Sequence, residues 1–310
     1  MANDKNFKVK NGIQAKRYLQ SGSALGYSDV DMSLGSYFTK TLSADTTFTF
    51  SNPPASGSAG SFALEVTGGN ASVGGDLSGA SYDSVSFYVG GQETNPFGIE
   101  FKSDGTKMFI AGTTGDDVTE YSLSTAWDIT SATYVTEYSV ASQQVNPKCV
   151  RFSSDGTKMY VSNTSNTSIT TYTLSTAWDV SSVSGISTTT LTNGSITASF
   201  WFKGDGTRLF QLDGATVRSY TLSTAWDVSS ISADAGTLAV TYGHSIVLTS
   251  DGTKIFTSQE TGSAGIIHEY VMTTAYDLST GSSSGTTFDA STQDIRPYGM
   301  TIKPDDTKLF

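Results

Sequence analysis

The chain has 310 residues, 37% of them hydrophobic and 15% charged, with 31 glycines and a net charge of −11 from 18 basic and 29 acidic residues. That mixture suits many short strands joined by tight turns and excludes a helical bundle, a coiled coil or a collagen. The acidic balance disfavours nucleic acid as a main partner, and no apolar run reaches the roughly 18 residues of a membrane-spanning helix.

Charge is uneven along the chain. The first twenty residues carry Lys5, Lys8, Lys10, Lys16 and Arg17 against the lone Asp4. Residues 1–22 therefore read as a separate electrostatic object. They are a docking arm for an acidic surface or a solvated end, and charge alone leaves both open. This stretch has no apolar core of signal-peptide type.

Residues 23–78 form a second zone. Thr46-Thr47-Phe48-Thr49-Phe50 alternates with the period of a half-buried strand. Asn52-Pro53-Pro54-Ala55-Ser56-Gly57 is a loop, because paired prolines do not sit inside a sheet. Ser61 to Val66 alternates again and ends at Gly68-Gly69. The expectation is a small β-module, joined to the rest of the chain by a Gly/Ser-rich linker from Gly74 to Gly79.

Residues 79–310 repeat. Phe101 to Phe109, with Asp104-Gly105-Thr106-Lys107 at its centre, recurs around Asp155, Asp205 and Asp251. A degenerate fifth copy runs from Ile302 to Phe310. A second signature follows each of the first four copies: Leu123 to Asp128 around Trp127, then the same around Trp178 and Trp226, with Tyr276 in the fourth place. Each unit reads as four strands: in the first, 98–102, 107–111, 118–123 and 134–140. Asp-Gly makes the first hairpin turn, and the Ser-Thr-Ala-Trp-Asp segment makes a structured turn before the last strand. Four short antiparallel strands per repeat match a blade of a β-propeller; a solenoid is the rival, and ring closure favours the propeller by protecting its edges. The fold class is therefore all-β, with four full blades and a partial fifth. Residues 81–90 align with a fourth strand, since Val89 precedes Asn95-Pro96 as Val140 precedes Asn146-Pro147. They can complete the last blade and lock the ring. The stop inside strand two of the fifth repeat leads to the expectation that the chain is part of a longer protein.

Each candidate chemical group has a plain structural reading. Asp104, Asp155, Asp205 and Asp251 could form a ring of ligands, yet the hairpin turn explains all four. Trp127, Trp178 and Trp226 could stack on sugars, yet a residue found in every repeat usually serves the repeat. Asp116-Asp117 lacks the oxygen count of a calcium loop. His244 lies near Tyr242, and His268 near Glu269; they could form a metal pair, yet a satisfied or exposed histidine explains each. Gly281-Ser282-Ser283-Ser284-Gly285 matches a nucleophile elbow by letter only, with no helix to follow. Cys149 falls in a strand-one position and is expected to be a small buried residue. No catalytic residue, metal or cofactor is expected. Segments that break the repeat are Thr113–Asp117, Asn163–Ser168 and Glu260–Gly265; within them Thr113, Asp116, Asp117, Asn163, Asn166 and Glu260 are the candidate binding residues.

The Asp155-Gly156-Thr157-Lys158-Met159-Tyr160-Val161 stretch resembles lactonase-like propeller repeats of the YVTN type, which implies a propeller without implying lactonase activity. The stretch from Thr46 to Gly57 is similar to a short β-module of structural proteins in marine tailed phages, and the Leu-Ser-Thr-Ala-Trp-Asp blades to phage fibre arrays. This resemblance implies a tail or capsid fibre: a virion location, residues 1–22 anchored on other virion proteins, a propeller facing a host-surface glycan or protein, a homo-oligomer such as a trimer, and no enzyme. The alternatives are a capsid-decorating fibre without a receptor role, and a lactonase-like or glycan-degrading propeller enzyme with a carboxylate or histidine cluster at its channel.

Overall fold

A computed structural model of the chain describes residues 23–24, 29–31, 37–42, 49–52, 63–68, 75–163, 167–191 and 199–310. Lys5, Lys8, Lys10, Lys16, Arg17 and Asn166 lie outside the described residues. Two compact units divide at Ser72 and Val73.

The first unit contains β1 (Ser23–Ala24), β2 (Asp29–Asp31), β3 (Tyr37–Leu42), β4 (Thr49–Ser51) and β5 (Ala63–Gly68). Successive strands alternate between two sheets, β1-β3-β5 and β2-β4, and every pairing is parallel. The strand expected at 46–50 is described from Thr49, and the one expected to end at Val66 continues to Gly68.

In the second unit the Asp-Gly turns set the meander. Asp104 Oδ1 accepts from the Thr106 backbone N–H and hydroxyl, and Gly105 supplies φ +73°. The same turn recurs at Asp155, Asp205 and Asp251. Four antiparallel four-stranded sheets result, arranged as propeller blades. Blade one is β6 (Pro96–Phe101), β7 (Lys107–Gly112), β8 (Asp117–Leu123) and β9 (Ala132–Ser139). Blade two is β10 (Pro147–Phe152), β11 (Lys158–Asn163), β12 (Ser168–Leu174) and β13 (Val183–Thr190). Blade three is β14 (Ser199–Phe202), β15 (Arg208–Leu212), β16 (Thr216–Leu222) and β17 (Ile231–Ala239). Blade four is β18 (Ser245–Leu248), β19 (Lys254–Glu260), β20 (Gly265–Met272) and β21 (Gly281–Asp289).

The tryptophan turn is coupled to the hairpin turn of its own blade. Trp127, Trp178, Trp226 and Tyr276 all adopt positive φ. Each donates its backbone N–H to the carbonyl of the turn glycine, Gly105, Gly156, Gly206 or Gly252, and lays its ring on that glycine. A Cβ on the glycine would collide with the ring, so glycine is needed both for φ and for the stacking. The next aspartate caps a short 3-10 turn, as Asp128 does by accepting from Thr130 N–H. The basic residue of the Asp-Gly-Thr-Lys/Arg segment in each of the first three blades reaches the next blade. Lys107 donates to the Trp178 carbonyl (2.7 Å), Lys158 to that of Trp226 (3.0 Å), and Arg208 to that of Tyr276 (2.6 Å).

Apolar cores lie between neighbouring sheets. Phe109 and Val118 pack on Phe152, Met159 and Trp178. Tyr160 and Ile169 pack on Phe200, Leu209 and Tyr220. Phe210 and Val217 pack on Ile255, Tyr270 and Leu278. The fifth repeat fills the remaining sector. Ile302 bridges Leu309, and Leu77, Met300, Ile302 and Leu309 pack on Val247 and Phe256 of blade four. Phe87, Val89 and Phe310 pack on Met108 and Tyr121 of blade one.

Residues 75–78, read from sequence as linker, are the fifth repeat's capped turn. Asp76 accepts from Ser78 N–H, and Leu77 N–H donates to Glu269, as Val180 N–H donates to Glu120 at the corresponding place between blades one and two. Residues 85–89 form no paired strand; they are held by side chains, with the Phe87 and Tyr121 rings edge to face at 5.6 Å, and by Asp83 bonded to Lys308.

Candidate functional site at the channel mouth

The five repeats bring one register position of their inner strands around a single side chain. Arg151, on β10, is 5% exposed. Its guanidinium donates to the carbonyls of Ile99 (2.9 Å), Phe200 (3.0 Å), Met300 (3.1 Å), Ile246 (3.3 Å) and its neighbour Val150 (3.3 Å). These five carbonyls occupy equivalent places in the five repeats. The planar fork of an arginine, with five N–H donors, suits such a ring of acceptors. Glu100 Oε2 also accepts from it, at 2.7 Å, and burial pushes the Glu100 carboxyl up against the pull of that cation. Small residues occupy the next layer and let the strands converge: Gly98, Cys149, Ser199, Ser245 and Gly299. A Cβ at Gly299 would strike the Phe97 carbonyl. The centre of the ring is thus filled by protein at the level of Arg151.

One layer above, the first residues of the inner strands form the mouth. The start of β6 pairs with the end of β7, so this mouth shares a face with the β7–β8 type of loop and with the connections between blades. Phe97 and Tyr298 stack, with centroids 4.7 Å apart, and Lys148 Nζ sits over the Phe97 ring. His244 packs edge-on against Tyr298 at 4.9 Å and against the exposed Tyr242 at 5.7 Å. Glu260 gathers the polar atoms. Its carboxylate accepts from the Tyr298 hydroxyl (2.6 Å), pairs with Arg296 (3.1 Å) and lies 4.0 Å from His244. The Tyr298 bond holds Glu260 below the usual carboxylate range and pushes the Tyr298 phenol up. Burial lowers His244, against the pull of Glu260, and brings Lys148 down to about 8. Aromatic faces and polar atoms thus share one partly exposed patch.

The residues singled out from sequence fall around this face in different ways. Glu260 belongs to the mouth cluster, but it is the last residue of β19 and not a loop residue. Thr113 is half-buried in the β7–β8 loop and accepts from the Asn95 amide. Asp116 takes positive φ and accepts from Asn146 N–H at 2.7 Å. Asp117, expected in that loop, is instead the first residue of β8 and is 6% exposed. Burial, with Glu137 and Glu93 nearby, pushes its carboxyl up to about 6. Asn163 ends β11 and is buried. Cys149 is buried. His268 bonds Gln259 at 2.8 Å, apart from the His244 cluster. The repeated aspartates and tryptophans occupy the opposite ends of the blades, in the turns described above. Among the described residues, no group of three or more His, Cys, Asp or Glu is placed to hold a metal ion.

Phe97, Lys148, Arg296 and Tyr298 were not singled out from sequence. One signal was available. The residue after Asn95-Pro96, Asn146-Pro147 and Arg296-Pro297, and its counterpart His244, differs in each repeat while its neighbours recur.

No family model matches the chain, and no curated protein matches it. Among solved structures, it is similar to a candidate 6-phosphogluconolactonase from Bacteroides uniformis, at 12% identity and TM-score 0.42 over 66% of this chain and 59% of that one. A second such protein, from Bacteroides fragilis, matches at 13% identity and TM-score 0.41 over 63% and 55%. Hydrazine synthase of Kuenenia stuttgartiensis matches at 12% and 0.42 over 74% and 76%. The chain spans little more than half the length of the two lactonase candidates, and likenesses this distant carry no functional argument.

Proposed function

We propose that this chain is a virion structural protein of a tailed phage, a fibre anchored through residues 1–22, whose propeller recognises a carbohydrate on the host surface without catalysis. The observation that carries the recognition half is the mouth cluster of Phe97, Tyr298, His244 and Tyr242 with Lys148, Arg296 and Glu260. Flat apolar faces beside fixed donors and acceptors are what a sugar ring requires, since one face of the ring is C–H and its rim is hydroxyl. The non-catalytic half is supported by the channel. Arg151 occupies it, and Glu100 is committed to that arginine. The anchoring half rests on the phage-like front module and the basic arm.

Two measurements test the proposal. An antibody to the propeller should decorate intact virions that encode this chain, with the propeller outermost. The purified chain should bind host-envelope polysaccharide and leave its chain length and its lactones unchanged. Undecorated virions remove the fibre reading, and hydrolysis of either substrate removes the non-catalytic one.

A further inference from the structure

We infer that the saccharide recognised at the mouth is acidic, its carboxylate or sulfate lying against the Lys148 ammonium and its ring against the exposed Tyr242 beside His244. This rests on the carbohydrate-binding reading and names the class of sugar.

Lys148 differs from Arg296, the other cation of the mouth. Its ammonium is half-buried over Phe97 and forms no ion pair or hydrogen bond among the described residues. A cation withdrawn from water without a counter-ion is costly, and the cost is relieved when an anion arrives. The neighbouring charges do not compete for the role. Arg296 is paired with Glu260, and Glu260 is occupied by Arg296 and the Tyr298 hydroxyl, so its charge is largely answered before a ligand enters. The titratable group next to Lys148 is His244, with Glu260 beyond it; Tyr298, Arg296 and Asp294 gather around Glu260 on the far side of the Phe97 ring, and Asp116 is bonded to Asn146 on the approach to β10. The chain as a whole is acidic, at −11, and its basic residues are concentrated in the first twenty positions. An anionic polymer is repelled over most of such a surface, so an uncompensated cation at the mouth selects where it binds. Carboxylate and sulfate share the required chemistry.

Calorimetric titration of the full chain tests this with three probes: an oligogalacturonate, a sulfated galactan oligosaccharide and a neutral galactan oligosaccharide. One of the two acidic probes should bind about tenfold or more tighter than the neutral one, and which of them does so identifies the anion. Lys148→Met should cost that ligand about ten- to a hundredfold, while Lys148→Arg retains it. Wild-type binding should weaken between about pH 7 and about pH 9.5, through loss of the ammonium, while that of Lys148→Arg stays level over the range. Equal melting temperatures would show that both variants fold. If the neutral probe binds as tightly as the acidic ones and Lys148→Met is silent, the acidic class is wrong and the carbohydrate reading stands. If no saccharide binds the wild type, both fall.

Discussion

Replacing Arg151 by methionine keeps the length of an unbranched side chain and removes every donor at the centre of the ring. The Arg151 and Glu100 side chains are 6% and 20% exposed. Removing one partner of a buried ion pair costs about 3–5 kcal/mol, because the other charge is left uncompensated. The carbonyls of Ile99, Phe200, Ile246 and Met300 lose a donor at the same time. Each loss adds up to about 1 kcal/mol, though the terms overlap and do not sum fully. An overall loss of about 4–6 kcal/mol is expected, which lowers the melting temperature by about 10–20 °C for a domain of this size. Differential scanning calorimetry reads it directly. Arg151→Lys should lose less, because its ammonium still answers Glu100, while it cannot span carbonyls contributed by all five repeats. The double variant Arg151→Met/Glu100→Gln should recover part of the loss, since the stranded carboxylate is gone. An Arg151→Met protein that melts within about 2 °C of wild type would refute the claim that this side chain holds the repeats together.

Other consequences of the same geometry can be measured. Asp117 has a folded-state pKa raised to about 6 from 3.8. Its ionisation therefore opposes folding fully above about pH 6 and not at all below about pH 4, so Asp117→Asn should stabilise the protein by about 1–3 kcal/mol near pH 7 and by almost nothing near pH 4 in urea unfolding. Equal effects at both pH values would contradict the assignment. Gly156→Ala forces a side chain into φ +71° and under the Trp178 ring, so about 2 kcal/mol or more should be lost, together with the near-ultraviolet dichroism of that indole. Phe87→Ala removes the edge contact with Tyr121 and should cost about 3 kcal/mol, with hydrogen exchange rising first in residues 85–89 and in blade one.

Much of this architecture is legible in the chain because it is local. An Asp-Gly hairpin, a capped turn after Trp-Asp and strands of period two each depend on residues a few positions apart. Their recurrence at near-constant spacing announces blades without reference to any long-range contact. The tryptophans and the repeated aspartates could be given turn roles for the same reason. The strand boundaries were less legible. Asp117 and Glu260 look like polar loop residues, yet one opens β8 and the other closes β19, because ladder pairing with Gly112 and Gly265 extends the hairpins through them. The Gly75–Ser78 stretch looked like a linker because glycine and serine dominate it. Docking against Glu269 converts it into a blade turn.

The site was hardest to read, for a geometric reason. Phe97, Lys148, His244 and Tyr298 stand 51, 96 and 54 residues apart, and only the closing of the ring brings their strand ends to one mouth. Arg151 has the same history: its counterparts in the other repeats are Glu100, Trp201, Val247 and Thr301, so no pattern marks it. Sequence by itself determined the repeat, its turns and the all-β class, because those follow from backbone preferences within one blade. The plugged channel, the mouth with its uncompensated lysine and the recruitment of residues 75–89 into the last sector were decided by tertiary structure, because each needs carbonyls, charges or rings from strands that meet only when the blades close on one another.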